Sequence, residues 1–361
     1  MSEFGVYVHV PFCARRCDYC AFATYADRDH LMDDYVAAVR REIARAREEE
    51  GLPAATSVFF GGGTPSRLAA DDLLAILGDL ERTEDCEVTV ECNPEDATPE
   101  RLRAYHEGGV TRMSFGIQST RAGVLADLGR RHGTHAHSEV AARVTDAGFT
   151  TWNMDLIIGS RAETRDDVRA TLDDILTLEH PPPHLSVYAL TPEPATPLGR
   201  DPDRHPDEDE TADAYDLVGE VLEAAGYQWE EISNWARPGH ECRHNHLYWD
   251  QGDYRGFGSA AHSHRRGRRW WNVRTPDRYI SLTDAGRSPL GGEERLDDGA
   301  RRFEAESLAL RTTRGVPREA FDSLEEIAHL IEVDDGRVRL TPAGRLLANQ
   351  VIVRLRSAGR D

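Results

Sequence analysis

The sequence predicts an α/β fold: a partial (βα)6 barrel followed by a small C-terminal, winged-helix-like α+β domain. Three observations predict it. Six short apolar runs alternate with amphipathic helical segments. The strand–helix units recur at intervals of roughly 25–50 residues, the rhythm of a parallel sheet or barrel. From about Gly291 the pattern changes to short helices and a small hairpin.

Taken in order, Val6–His9, Val58–Phe60, Val88–Glu91, Arg112–Phe115, Trp152–Ile158 and Leu185–Tyr188 read as strands. Between and after them, Asp33–Glu50, Ala70–Glu81, Pro99–Glu107, Arg121–Leu128, His137–Ala147 and Arg165–Leu178 carry apolar residues at helical spacing. Six such units fall short of the eight that close a barrel, so the barrel is expected to be open. Pro192–Glu210, rich in Pro and Asp, predicts a solvated excursion, followed by a helix over Thr211–Ala225 and a strand around Tyr227–Glu230. Farther on, short helices are expected at Glu304–Leu310, Arg318–Phe321 and Leu324–Leu330. Strands Ile331–Val333 and Val338–Leu340 flank the turn Asp335-Gly336, and Thr341–Leu355 predicts a last helix. The expected division is a barrel over 1–235, a connecting segment over 236–290 and the C-terminal domain over 291–361.

Composition narrows the function. A chain of 361 residues, 39% of them hydrophobic, can bury a sizeable core. No apolar run reaches membrane-spanning length and Met1–Val10 lacks signal-peptide features, so a cytoplasmic protein with no integral membrane segment is expected, peripheral to a membrane only through a partner protein. With 43 basic and 64 acidic residues the net charge is −21, which repels phosphate backbones and argues against nucleic-acid binding. Every basic residue is Arg. The absence of Lys excludes a lysine Schiff base and a Walker A phosphate site.

Three of the six cysteines lie within eight residues, Cys13-Ala14-Arg15-Arg16-Cys17-Asp18-Tyr19-Cys20. Packed so closely in a chain without a secretory signal, they point to metal ligation rather than disulfides. Three thiolates on one loop can hold three irons of a [4Fe–4S] cubane and leave the fourth open. That iron can chelate S-adenosylmethionine (SAM) and reduce its sulfonium to release a deoxyadenosyl radical. A zinc site would want a fourth ligand, and the nearby His9 belongs to a strand. Gly61-Gly62-Gly63-Thr64-Pro65-Ser66 follows the second strand, where backbone without side chains admits a ligand and can offer it amides. Alone, such a run also suits an ordinary turn.

Together with Tyr7-Val8-His9-Val10-Pro11-Phe12-Cys13, these motifs resemble the radical SAM family of oxygen-independent coproporphyrinogen III oxidase (HemN) and its heme-chaperone relatives (HemW), from about residue 5 to the final helix. The resemblance implies SAM contacts at Tyr7, Gly62, Gly63, Thr64, Glu91, Gln118, Arg130, Asp155 and Ala189, and cluster ligation by Cys13, Cys17 and Cys20. Apart from Arg130, these positions fall in or beside predicted strand ends, where barrel active sites form.

Two departures favour the chaperone branch. The oxidase-type loop has a further cysteine where this chain has Phe22, and it carries an N-terminal extension where this chain begins a few residues before its first strand. Cys242-Arg243-His244-Asn245-His246-Leu247-Tyr248-Trp249 contains H-N-x-x-Y-W, similar to a segment associated with heme in that branch. By that likeness His244, Asn245, Tyr248 and Trp249 are heme candidates: imidazole ligates iron and aromatic rings pack on porphyrin. Read without it, they are core residues. His132, His135 and His137, and the pair His262 and His264, lack acidic or Cys ligands at motif distance and read as loop residues, with His262 at a family position.

The resemblance thus implies a heme chaperone using a [4Fe–4S] cluster and SAM, with heme as cargo and heme-accepting respiratory proteins as partners. SAM would act there more as ligand or signal than as consumed reagent, and a homodimer is left open. The alternatives are radical oxidative decarboxylation of coproporphyrinogen III to protoporphyrinogen IX, against which Phe22 stands, and a radical enzyme acting on heme itself.

Overall fold

The structure, a computed structural model, describes residues 3–355. The six expected strands form in order, β5 with the expected bounds and the others longer than their apolar runs: β1 Phe4–Val10, β2 Ala55–Gly62, β3 Arg82–Cys92, β4 Arg112–Gln118, β5 Trp152–Ile158 and β6 His184–Ala189. They pair in parallel, each with the next, because helical crossovers return the chain to the same end. The crossovers are α1 Met32–Glu50, α2 Ala70–Gly78, α3 Pro99–Glu107, α4 Ala122–Asp127, α5 Ala136–Asp146 and α6 Arg165–Leu176. Tyr35, Val39, Ile43 and Ala46 recur at helical spacing on the buried face of α1, which ends at Gly51 with φ +58. Thr164 and Asp167 form a capping box that starts α6.

The sheet continues beyond β6. Helix α7 Glu208–Ala224 leads to β7 Gln228–Glu231 and β8 Asn234–Ala236, which add antiparallel to the β6 edge. The segment expected to be a connection instead holds α8 Arg243–Trp249, β9 Asp253–Phe257, β10 His262–Arg265, β11 Arg268–Asn272 and α9 Pro276–Asp284, with β12 Leu290–Arg295 following. Strand β9 lies parallel to β1, and β10 to β12 extend the sheet antiparallel from it. Among the described residues the order is β12-β11-β10-β9-β1-β2-β3-β4-β5-β6-β8-β7. Arg, His, Trp and Gly dominate β9–β11, so no apolar run betrays them.

Pro192–Glu210 is not a fully solvated excursion. Leu198 is fully buried against Val124, Leu128, Ile157 and Leu190, and Glu208 already belongs to α7. The segment is a strap over the cysteine loop: Leu198 N–H donates to Asp18 O (3.0 Å), and Arg204 pairs with Asp18 and Asp127 (3.1 Å each).

The C-terminal part has its own core, including Leu310, Phe321, Val338, Leu340 and Val351. Helix α10 Asp298–Leu310 is longer than expected, because the Asp297 cap lies seven residues before Glu304. Arg318–Ala320 and Glu325–Ile327 are single 3-10 turns. A small antiparallel sheet follows, β13 Val316–Pro317, β14 Ile331–Asp334 and β15 Arg337–Leu340, with Asp335 and Gly336 both at positive φ in its turn. The expected last helix is two short ones, α11 Pro342–Leu346 and α12 Ala348–Ile352, broken at Leu347. Among the described residues no helix is long and apolar enough to cross a membrane.

One buried carboxylate ties the sheet extension to the barrel. Glu42 of α1, 1% exposed, accepts from Arg255 Nη2 (3.1 Å), Gly258 N (3.1 Å), Asn272 Nδ2 (3.0 Å) and Tyr279 OH (2.6 Å). Removing it would leave the 5%-exposed Arg255 with Glu50 as its one carboxylate partner among the described residues. Glu42→Ala is therefore expected to lower unfolding free energy by about 3 kcal/mol or more. Urea denaturation measures it, and a loss below about 1 kcal/mol would mean that Glu50 suffices.

Candidate functional site

A cavity of ≈ 500 Å³ opens at the C-terminal ends of β1–β6, where parallel strands release their last side chains. It is lined by Cys13, Cys17 and Cys20 and by Tyr7, Gly62, Gly63, Thr64, Glu91, Gln118, Arg130, Asp155 and Ala189. From the α8 motif it gathers Asn245 and Tyr248, whereas His244 and Trp249 are not in its wall.

The cysteine loop is anchored at both ends. Tyr25 N–H donates to Pro11 O (2.8 Å) and Cys13 N–H to Tyr25 O (3.1 Å), while Phe12 packs edge-on against Tyr35 at 5.2 Å. Burial raises the thiol pKa values of Cys13 and Cys20. Thr64 Oγ1 donates to Cys13 Sγ (3.6 Å), a contact that favours its thiolate, and Arg130 Nη1 donates to Cys17 Sγ (3.5 Å). Among the described residues no three His, Cys, Asp or Glu gather around a single ion position. A cubane asks for something else, each sulfur on its own iron, with hydrogen bonds to the sulfurs tuning it.

The glycines do a different job from the one their sequence suggests. Gly62 has φ +111, and a Cβ there would lie 2.3 Å from His9 Nδ1; at Gly63 it would lie 2.8 Å from Val10 O and Phe12 O. Their amides are not free for a ligand: Gly62 N–H donates to Glu91 Oε2 (3.1 Å), Gly63 N–H to Val10 O and Thr64 N–H to Phe12 O (2.8 Å each). The run stitches β2 to the start of the cysteine loop. His9 is fixed beneath it, between Tyr7 OH (3.1 Å) and Ala23 O (3.0 Å).

Burial, followed by repulsion from Asp155, pushes the Glu91 carboxyl up to about 8. Burial raises Asp155 to about 6, against hydrogen bonds from Asn153 and others. Gln118 sits at φ +67 on a bulge that ends β4, strained backbone of the kind that marks functional sites. Arg130 also reaches Asn93 Oδ1 (3.4 Å) and Gly116 O. Gln118 Oε1, Asn153 Oδ1 and Thr89 Oγ1 are buried on cavity-lining residues without a hydrogen-bond partner. Unpaired polar atoms beside protonation-prone carboxyls suit a polar, cationic ligand, and the three thiols at the same cavity suit an iron–sulfur cluster.

His244 is fully buried, with Nδ1 bonded to Ser57 Oγ and Nε2 to Tyr248 OH, both at 2.8 Å, and its ring stacked on Phe59 at 5.3 Å. Burial lowers its pKa to about 3. Neither nitrogen is free for iron; the imidazole instead holds the Tyr248 phenol in the cavity wall. Trp249 O accepts from Arg314 on the C-terminal side. His132 and His137 bond backbone carbonyls (Ile117 O, 2.8 Å; Thr134 O, 3.0 Å), His264 bonds Gly252 O, and His262 stacks on Trp271 at the surface. Sequence reasoning passed over inward polar residues of the strands, Arg112, Ser114, Asn153, His184 and Ser186, and the mouth residue Tyr188. The signal was available as polar residues at period two, Ser114-Gly116-Gln118 and Asn153-Asp155, inside apolar strands.

Residues 7–175 match the radical SAM superfamily. The heme chaperone HemW of Mycobacterium tuberculosis (strain H37Rv) is 38% identical over 97% of this chain and 94% of its own length. HemW of Bacillus subtilis is 31% identical over 96% and 97%, and HemW of Escherichia coli K12 is 35% identical over 81% and 76%. Among solved structures, the radical SAM enzyme coproporphyrinogen III oxidase (HemN) of E. coli superposes with a TM-score of 0.83 at 22% identity, covering 98% of this chain and 89% of that one, which shows the fold.

Two outcomes follow from the cavity's geometry. Because Glu91 holds its proton to about 8 when folded and to about 4.3 when unfolded, its burial favours the fold below pH 4 and the benefit is lost as pH rises through 8. Without ligand, Glu91→Gln should be more stable than wild type by about 2–4 kcal/mol at pH 9, the gap closing toward pH 4; equal stability curves across that range would contradict it. Gly62→Ala meets both positive φ and His9, and should cost about 2 kcal/mol or more together with iron retention after anaerobic reconstitution. Unchanged iron content would show that the loop does not depend on this contact.

Proposed function

We propose a heme chaperone, from the premise that the chain belongs to the HemW family of the radical SAM superfamily. In this role Cys13, Cys17 and Cys20 hold a [4Fe–4S] cluster, which family membership implies along with SAM. When bound, the cluster and SAM supply one-electron chemistry at the cavity. Around them, Glu91 and Asp155 face a cationic ligand, Gln118 and Asn153 give it their unpaired oxygens, and Tyr7 and Ala189 shape the walls. Arg130 bonds the Cys17 sulfur and steadies the charge there.

The observation that carries the heme reading is the cavity mouth. Phe22 is 66% exposed and Tyr188 43% exposed, and both line the opening beside Arg15 and Arg16 of the cysteine loop. Flat rings turned to solvent suit a porphyrin face, and guanidiniums suit its propionates. From α8, Asn245 and Tyr248 meet the same cavity, with His244 positioning Tyr248 rather than touching iron. An open mouth also suits a cargo that must leave again, to heme-accepting respiratory proteins.

An anaerobic heme titration of the cluster-reconstituted protein, followed by gel filtration, tests this. Wild type should retain about one heme per chain, and Phe22→Ala with Tyr188→Ala should weaken retention about tenfold or more. His244→Ala should keep the Soret position of bound heme while loosening it; a shifted Soret band would make His244 a ligand after all. Absence of retained heme, with conversion of coproporphyrinogen III to protoporphyrinogen IX, would replace the chaperone by the oxidase.

A further inference from the structure

A second cavity, of ≈ 630 Å³, lies between the end of α1 and the antiparallel extension β9–β12 and shares no lining residue with the first. It is on the other face of the sheet. Tyr7 of β1 points into the first cavity, while its neighbour Val6, on the opposite face, is in register with Arg255, which lines the second.

Arginine lines it in a chain whose net charge is −21. Across three antiparallel strands Arg265 stands opposite Arg268, and Arg268 opposite Arg295, so three guanidiniums form one row on one face. Like charges directly opposite are destabilising. The adjacent row on the other face shows the ordinary solution: Arg269 stands opposite Glu294 and pairs with it at 3.0 Å.

Carboxylates around the cavity leave charge over. Glu50 is engaged by the buried Arg255 (3.2 Å), Glu49 by Arg45 (3.9 Å), and Glu293 by Arg268. Arg265 reaches only the Glu50 carbonyl (3.4 Å). Among the described residues, the side chains of Arg266, at the tip of the β10–β11 turn with φ +51, and Arg295 have no partner. The row spans two strand spacings, about 10 Å, which suits a chain of charges better than a single ion.

We propose that this cavity is a second ligand site, for a compact polyanion of the phosphate class, held by Arg265, Arg266, Arg268 and Arg295. Guanidinium forks match phosphate oxygens in pairs, and a polyphosphate chain bridging the row turns cross-strand repulsion into attraction. The phosphates can belong to a free small molecule or to a lipid headgroup.

The test is calorimetric titration of the cluster-reconstituted protein with inorganic tripolyphosphate at 0.15 M salt, on the order of physiological ionic strength. Saturable binding near one per chain is expected, about tenfold or more weaker in the Arg266→Ser/Arg295→Ser double variant, with SAM binding unchanged. Co-sedimentation with phosphatidylcholine vesicles carrying phosphatidylglycerol distinguishes the source: loss of sedimentation in the variant assigns the site to lipid phosphate. Absence of saturable binding to either probe, or equal binding by the variant, overturns the proposal. Without ligand, Arg295→Ser should leave the melting midpoint unchanged or raised. A lowered midpoint would make the row a structural feature and overturn the proposal too.

Discussion

The molecule depends on one carboxylate kept out of water. Glu42 of α1 is the point at which β9, β11 and the helix α9 meet that helix, and each of those three elements, with Gly258 just after β9, contributes a donor to it. A lone buried charge would be costly, and a lone buried Arg255 no less so. Joined and fully hydrogen-bonded, they specify a geometry, because few backbone arrangements satisfy every donor at once. The consequence is that β9 is laid parallel along β1. The first strand of the barrel thereby becomes an interior strand, and the cysteine loop that leaves it starts from a fixed edge rather than a frayed one.

The cavity reverses that logic. Glu42 is matched by its surroundings, whereas Glu91 and Asp155 repel each other and several neutral oxygens nearby lack partners. An interior that meets its polar groups in one place and leaves them unmet in another is organised around something that completes the second. The same contrast holds for the backbone. Gln118 is strained where it enters the cavity, while Gly62 takes up its positive φ without cost and leaves room for His9, hydrogen-bonded to Tyr7, beneath the cysteine loop.

Much of this was legible in the chain. The parallel strands announced themselves as apolar runs because both of their faces are covered, and the C-x3-C-x2-C and glycine motifs lie at strand ends that a barrel must bring together. What stayed hidden has identifiable causes. Strands β9–β11 carry Arg, His, Trp and Gly in place of apolar alternation, since their burial rests on the Glu42 network and on guanidiniums stacked over Phe257 and Trp270. The strap around Leu198 has the composition of a loop and a single apolar anchor, too little for periodicity to register. Spacing alone says nothing about which way a side chain points. The glycine motif suggested free amides, and the structure uses those amides internally.

His244 shows why a motif and a ligand set are different things. In sequence it heads H-N-x-x-Y-W and invites iron. In the fold, α8 packs so closely on β1 that a Cβ at Gly5 would meet Leu247 at 2.7 Å and His244 at 3.2 Å, which drives the imidazole inward. Four residues on, one helical turn away, Tyr248 faces the cavity and receives its orientation from that imidazole. Histidine and tyrosine at this spacing therefore act as a unit, one side chain buried so that the other can be placed. The pair also links the two ends of α8. His246 on the same helix bonds Glu230 (3.2 Å), whose backbone carbonyl accepts from Thr313 of the C-terminal part. A ligand that moves Tyr248 thus acts on a helix already joined to the second core.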